Sequence, residues 1–241
     1  MLENNGNLRY CGPHAQLEEM AKQAVAQVYS DDKKKEWAKL IHDFNELYYD
    51  MGAQTWSITN WRGVRVLKPP TDMWVYQELI TEIKPGLIIE TGTWCGGSAL
   101  FMRDVLDKVN PSGEVVTIDI EPERIDARAR VPGITFIPES SVDQDTIGIL
   151  CNRKVLCNEE PVMVILDSNH SYEHVSRELE LYAPFVTVGS ILIVEDGSNC
   201  DSVQSAIKDF FPKHPEFKAN YMGEKFMLTF NRDGYWEKVA P

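Results

Sequence analysis

Five short apolar runs, at 87–91, 114–119, 134–137, 162–167 and 190–195, alternate with segments of helical spacing at 97–109, 121–130, 143–150, 172–183 and 201–211. That order leaves few folds open. Strands alternating with helices build right-handed βαβ units around a mostly parallel sheet. Runs such as Val162-Met163-Val164-Ile165-Leu166 and Ile191-Leu192-Ile193-Val194 show no polar alternation, as strands covered on both faces require. Two last segments, 217–222 and 226–231, have no helix between them and read as an antiparallel hairpin closing the sheet. The expected architecture is α/β, with a doubly wound, mostly parallel, seven-stranded sheet and a C-terminal antiparallel hairpin.

The residues before this alternation read differently. Residues 1–13 form a loose arm, and Leu17, Met20, Ala21, Ala24, Val25 and Val28 have helical spacing over 14–29. Ser30-Asp31-Asp32 is a cap cluster for a second helix with Trp37, Leu40, Ile41, Phe44, Leu47 and Tyr48 on one face. These helices are candidates for a lid, an oligomer contact or a layer over a sheet edge. Trp56 and Trp61 lie in a polar loop, as pocket walls or as anchors. Thr71-Asp72 caps a helix over 73–83, which Pro85-Gly86 ends. The expected division is an N-terminal helical extension, 1–70, and a main domain, 71–241.

Charge and composition exclude some partners. A formal charge of −13 argues against nucleic acid and against an anionic membrane surface. The start is polar and lacks a signal-peptide core, and no apolar run is long enough to span a bilayer. Five widely spaced cysteines (Cys11, Cys95, Cys151, Cys157, Cys200) read as reduced thiols of a cytoplasmic protein.

The first of the five strands ends in Glu90-Thr91-Gly92-Thr93-Trp94-Cys95-Gly96-Gly97-Ser98, an acid, a glycine-rich bend and a helix start. Glycines let backbone approach a ligand, and helix amides favour an anionic group. The spacing is not the dinucleotide fingerprint, and Glu90 would repel a pyrophosphate. S-adenosylmethionine, with an ammonium, a carboxylate and no phosphate, suits the pattern better. Asp119 ends the next strand, where a carboxylate can accept ribose hydroxyls or merely cap the next helix. Glu139-Ser140-Ser141 ends the third, where an adenine edge could be read.

The fourth strand ends in Asp167-Ser168-Asn169-His170 and the fifth in Glu195-Asp196. If the two are neighbours, about 4.8 Å apart, three carboxylates converge. A hard divalent cation, Mg²⁺ or Ca²⁺, relieves their repulsion and would acidify a docked hydroxyl. His170 is the candidate general base, and His174 a partner or bystander.

These stretches, with Leu179-Glu180-Leu181-Tyr182-Ala183-Pro184, Trp61-Arg62-Gly63 and Leu67-Lys68-Pro69-Pro70, resemble the cephalosporin hydroxylase family. That family has a Rossmann-like class I methyltransferase fold and is similar to metal-dependent O-methyltransferases of deoxysugars such as rhamnose. The likeness runs from about Trp56 to Asn231. It implies S-adenosylmethionine and Mg²⁺, ligation by Asp167, Glu195 and Asp196, and a base at His170, with Asp167 beside it as a catalytic candidate. It implies cofactor contacts at Glu90, Gly92, Ser98 and Asp119; Thr91, Gly97, Ser141 and Asp167 complete that candidate set. The expected activity is O-methylation of a hydroxyl or diol on a small natural product or its sugar. The rival readings are a metal-dependent hydroxylase or hydrolase on the same scaffold, and a non-catalytic cofactor-binding partner protein.

Overall fold

The computed structural model describes residues 34–51, 54–157 and 160–241, together with Met20 and Gln23. The N-terminal arm, most of the first expected helix, the Ser30-Asp31-Asp32 cap and Cys11 lie outside the described residues.

The chain begins with α1 (Lys34–Glu46) and a π-helical turn (Leu47–Met51), then a 3-10 turn (Thr55–Ile58) and a small hairpin of β1 (Asn60–Trp61) and β2 (Val64–Arg65). Helix α2 (Pro70–Ile83) follows. The alternation is then β3 (Leu87–Thr91), α3 (Gly97–Val109), β4 (Glu114–Ile118), β5 (Ile134–Ile137), α4 (Gln144–Leu156), β6 (Val162–Leu166), α5 (Tyr172–Tyr182), β7 (Ile191–Val194) and α6 (Asp201–Phe210), closed by β8 (Phe217–Ala219) and β9 (Tyr235–Lys238).

The sheet has seven strands in the order β5-β4-β3-β6-β7-β9-β8. The first five are parallel to one another, while β9 is antiparallel to both β7 and β8. The chain winds outward from β3 through β4 to β5, then returns to β6 on the other side. The switch point therefore lies between β3 and β6, where a doubly wound sheet opens its ligand crevice. Thr91 pairs with Leu166, and Leu166 with Val194, so the three strand tips end level.

Period-two alternation divides the apolar runs between two faces. Leu87 and Ile89 pack with Val116, Val164, Val175, Leu179, Val203 and Ile207 under α5 and α6. Ile88 packs with Val115, Met163, Ile165, Val75, Tyr76, Ile80 and Met102 under α2 and α3. Both faces are covered, as the unbroken apolar strands demanded.

Four expectations change. The hairpin pairs β8 with 235–238, not with 226–231, and β9 inserts between β7 and β8. In 226–231, side chains replace a strand ladder: Thr229 N–H donates to Asn45 Oδ1 (3.2 Å), Phe230 N–H to Asp72 Oδ2 (2.9 Å) and Asn231 N–H to Thr229 Oγ1 (3.0 Å). Asp72 is thus a buried acceptor in the first turn of α2; Pro69 occupies the cap position and Pro70 opens the helix. Residues 121–130 form two 3-10 turns rather than one helix, because Pro122 and an Asp126 cap set the two starts separately. On α1, Leu40 and Phe44 are 67% and 49% exposed; the side facing the protein carries Asn45, which also donates to the Met227 carbonyl.

Candidate functional site

The bend after β3 touches the start of the loop after β6. Gly92 has φ +83°, and a Cβ there would lie 1.8 Å from the Asp167 carbonyl oxygen. Only glycine permits this approach. Asp167 N–H in turn donates to the Thr91 carbonyl and hydroxyl oxygens, both at 3.1 Å. The loop leaving β6 is therefore fixed by the glycine bend.

A cavity of about 480 Å³ opens at this point, within the usual size of a small-molecule site. Among the expected site residues, Gly92, Ser98, Asp119, Ser141, Asp167, His170 and Asp196 line it. Asp119 is oriented by two backbone amides, Trp94 N–H on Oδ2 (2.8 Å) and Glu121 N–H on Oδ1 (2.9 Å). Ser141 Oγ lies 3.0 Å from His174 Nε2, so His174 supports Ser141 and does not join His170.

Three expected contacts lie beneath the cavity rather than in its wall. Glu90 is fully buried and accepts hydrogen bonds from Ser98 Oγ and Thr117 Oγ1 (2.6 Å); burial pushes its carboxyl up to about 7. Thr91 is spent on Asp167 N–H. Gly97 serves packing, since a Cβ there would meet the Arg65 carbonyl at 2.0 Å.

The carboxylate cluster is partly as expected. Asp167, His170 and Asp196 each offer a ligand atom, all within 4.8 Å of one another. His170 Nε2 lies 3.5 Å from Asp167 Oδ1 and 3.4 Å from Asp196 Oδ2, buried and without a hydrogen-bond partner. Two carboxylates and an unsatisfied imidazole nitrogen facing one gap fit a divalent cation, with hard oxygen donors favouring Mg²⁺.

Glu195 differs from the expectation. Its carboxylate accepts hydrogen bonds from Lys68 and from the Tyr76 hydroxyl instead of facing His170. Successive residues at a strand end point to opposite sides. Asp196, with φ +60°, turns toward His170 while Glu195 turns inward.

Charges follow this geometry. Burial alone would lower the His170 pKa, but the neighbouring Asp167 and Cys200 side chains and the Asp196 charge raise it to about 11. Burial would raise Asp167, yet the Lys68 and His170 charges hold it below the usual carboxylate range. Asp196 is pushed up to about 6 by burial and by Asp167. Burial and Asp167 push Glu195 well upward, and Lys68, despite burial, is held protonated by Asp167, Glu195 and Glu90.

Lys68 and Tyr76 received no role from the sequence. A lysine set between Val66-Leu67 and Pro69-Pro70 was the available signal. Of the two loop tryptophans, Trp56 lines the cavity with Tyr49 and Phe230, while Trp61 is an anchor, donating to Asp104 Oδ2 (2.8 Å) and packing on Phe101. The four described cysteines are free, and burial raises the Cys95 thiol. No helix among the described residues is long and apolar enough to cross a membrane.

Known proteins resemble this chain in sequence and in fold. A rhamnosyl O-methyltransferase of Mycobacterium leprae is 38% identical over 161 residues, covering 66% of this chain and 68% of that protein. The matched segment spans 64% of the length of the counterparts in Mycobacterium bovis and Mycobacterium tuberculosis. Among solved structures, apo CmcI superposes with a TM-score of 0.61 at 22% identity, over 77% of this chain and 78% of that one. CmcI with Mg and SAM gives 0.58 at 20% identity, over 76% and 78%. These likenesses establish the Rossmann-like methyltransferase fold. The family profile for rhamnosyl O-methyltransferase/CmcI matches residues 53–239, and the chain belongs to that family.

Proposed function

We propose that this chain is an O-methyltransferase that uses S-adenosylmethionine and a divalent cation, Mg²⁺ by its donor set, to methylate a hydroxyl of a small natural product or its sugar. The observation that carries the reading is the convergence of Asp167, Asp196 and the unpartnered Nε2 of His170 on one gap in a cavity at the sheet's switch point. Family membership and a CmcI structure holding Mg and SAM support the same cofactors.

When bound, the cofactor supplies the activated methyl group and the cation acidifies and orients the acceptor hydroxyl. The residues divide the remaining work. Asp167 and Asp196 would hold the cation, with Glu195, tied to Lys68 and Tyr76, behind them. Asp119, presented by its two amide contacts, accepts ribose hydroxyls, and Ser98 and Ser141 contact the remainder of the cofactor. His170 takes the hydroxyl proton on Nε2. With Asp167 and Asp196 neutralised by the cation they would hold, His170 would no longer be kept protonated by their charge, and Nε2 would be available as the base. Positioning of oxygen against the methyl group supplies much of the rate.

Tyr49, Trp56 and Phe230 support an acceptor region beside this centre. Tyr49 stacks on Trp56 at 5.0 Å, Phe230 meets both edge-on, and the Trp56 indole N–H is satisfied by the Tyr49 carbonyl. With that N–H satisfied, the Trp56 and Phe230 rings offer apolar surface. Tyr49, Trp56, Val66 and Leu67 all come from residues 1–70, which supports treating that segment as the acceptor-shaping part.

The test is transfer of a labelled methyl group from S-adenosylmethionine to a panel of sugar and polyketide hydroxyls, with Mg²⁺ or with EDTA. Metal-dependent transfer is expected. Absence of S-adenosylhomocysteine binding by calorimetry would instead favour a hydrolase, and binding without transfer to any acceptor a partner protein.

A further inference from the structure

Lys68 is 2% exposed and stands between two acids of the site. Its Nζ donates to Asp167 Oδ2 at 2.6 Å and to Glu195 Oε1. The other Asp167 oxygen, Oδ1, is the one nearest His170 Nε2. Each contact is thus made on a different oxygen, Lys68 behind and the gap in front. The same Glu195 oxygen takes the Tyr76 hydroxyl; Tyr76 accepts from Asn231 Nδ2 (3.2 Å), and Asn231 Oδ1 accepts the Asp196 backbone N–H (3.4 Å). All three acids are therefore tied, directly or through Asn231, to one buried framework containing one ammonium.

The backbone is shaped to deliver that ammonium. Leu67 has φ +60°, an unfavourable conformation for a leucine. Pro69 restricts Lys68 from the other side, and Thr59 Oγ1 donates to the Lys68 carbonyl (3.0 Å). Three carboxylates this close repel one another, and a buried charge without a partner is costly. An ammonium fixed among them lowers that repulsion whether or not a dication is present.

We propose that Lys68 is a positioning residue for the divalent-cation site: by holding the rear oxygens of Asp167 and Glu195, it keeps the acids in place and partly neutralised before a cation arrives. This rests on the metal reading above. Without Lys68 the acids depend on the cation itself for neutralisation, so the substitution and the metal interact. A lysine serving only as an internal ion pair would contribute equally with and without metal.

The experiment is thermal unfolding of the full chain and of Lys68→Met and Lys68→Arg, each in EDTA and in saturating MgCl₂, with Mg²⁺ binding followed by calorimetry. Lys68→Met is expected to melt lower in EDTA and to recover in Mg²⁺, its metal-induced rise in Tm exceeding that of the unsubstituted protein by about 4 °C or more. Lys68→Arg, which keeps a charge, should retain most of the stability in EDTA. An equal metal-induced rise in Lys68→Met and the unsubstituted protein overturns the proposal. So does a Lys68→Met protein that stays unfolded in Mg²⁺ with S-adenosylhomocysteine, since Lys68 would then be needed regardless of the cation. If the unsubstituted protein neither binds Mg²⁺ nor melts higher in it, the metal reading itself fails, and that result is visible before any variant is measured.

Discussion

Substituting Gly92 by alanine separates two costs that the structure allows to be sized independently. The first is conformational: φ +83° in an L-residue costs about 1–2 kcal/mol. The second is steric. A Cβ would lie 1.8 Å from the Asp167 carbonyl oxygen, whereas ordinary contact begins near 3.4 Å, so bend and loop must separate by 3.4 − 1.8 = 1.6 Å. Asp167 moves with its backbone, and a displacement of about 1 Å can cost on the order of 10²-fold in rate. Gly189 supplies the control. It has φ +81° and nothing within 4 Å of an added Cβ, so Gly189→Ala incurs the first cost alone. Gly189→Ala should lower Tm by roughly 2–8 °C, at about 2–4 °C per kcal/mol for a chain of this size, and leave kcat/KM unchanged. Gly92→Ala should lose more stability than that, together with about 10²-fold or more in kcat/KM and with weaker Mg²⁺ binding by calorimetry. Gly92→Ala with stability and turnover matching Gly189→Ala would refute the claim that this contact sets the Asp167 position.

Other outcomes depend on the same geometry. His170→Ala should retain S-adenosylhomocysteine and Mg²⁺ affinity while turnover falls by about 10²–10⁴, the size of a general-base contribution; unchanged turnover removes it from the chemistry. Burial raises Asp72 to about 7 from 3.8, so the folded state binds its proton more tightly than the unfolded state. Stability from this group is full below pH 4, falls as pH rises from about 4 to 7, and the loss, up to about 4 kcal/mol, is complete above 7. Asp72→Asn should flatten the stability–pH curve over that window, leaving the slope due to the other raised carboxyls, Glu90, Asp196 and Glu195; an unchanged curve in denaturant titrations at pH 5 and 8 would show that Asp72 is not the source. Trp56→Ala should raise the acceptor KM with no change in S-adenosylhomocysteine affinity, whereas Trp61→Phe should lose about 1 kcal/mol of stability from its bond to Asp104 and leave kinetics intact.

Much of the fold and part of the site were legible in the sequence, for identifiable reasons. The sheet could be read because strands alternate with helices and β6 and β7 are unbroken apolar runs, and the crevice because a glycine-rich turn follows β3; the strand order that puts the reversal between β3 and β6 is visible only in the fold. Asp167, Glu195 and Asp196 could be expected to converge, with His170 beside them, only on the condition that the two strands are neighbours, which the β6–β7 pairing meets. Glu195 could not be placed from its position beside Asp196, because alternation at a strand tip sends neighbours apart and only packing reveals that Lys68 and Tyr76 await one of them. Glu90 looked like a cofactor contact from the spacing of its glycines, but the hydroxyls of Ser98 and Thr117, which cover it, come from other elements. The β9 insertion was hidden for a similar reason: 226–231 is as apolar as a strand, and the side chains that take its amides, Asn45 and Asp72, are far away in sequence.

The placement of β9 also imposes a schedule on a chain made from its amino end. Strand β8 leaves the ribosome first, yet it has no edge to join until Tyr235–Lys238 has been synthesised and has docked on β7. The acids at the tip of β7 remain beside an open margin until then. A nascent chain arrested before Tyr235 should stay open to protease attack around β7 and α6, with its cation site unfinished, and β9, docking between β7 and β8, would act as the latch of the assembly.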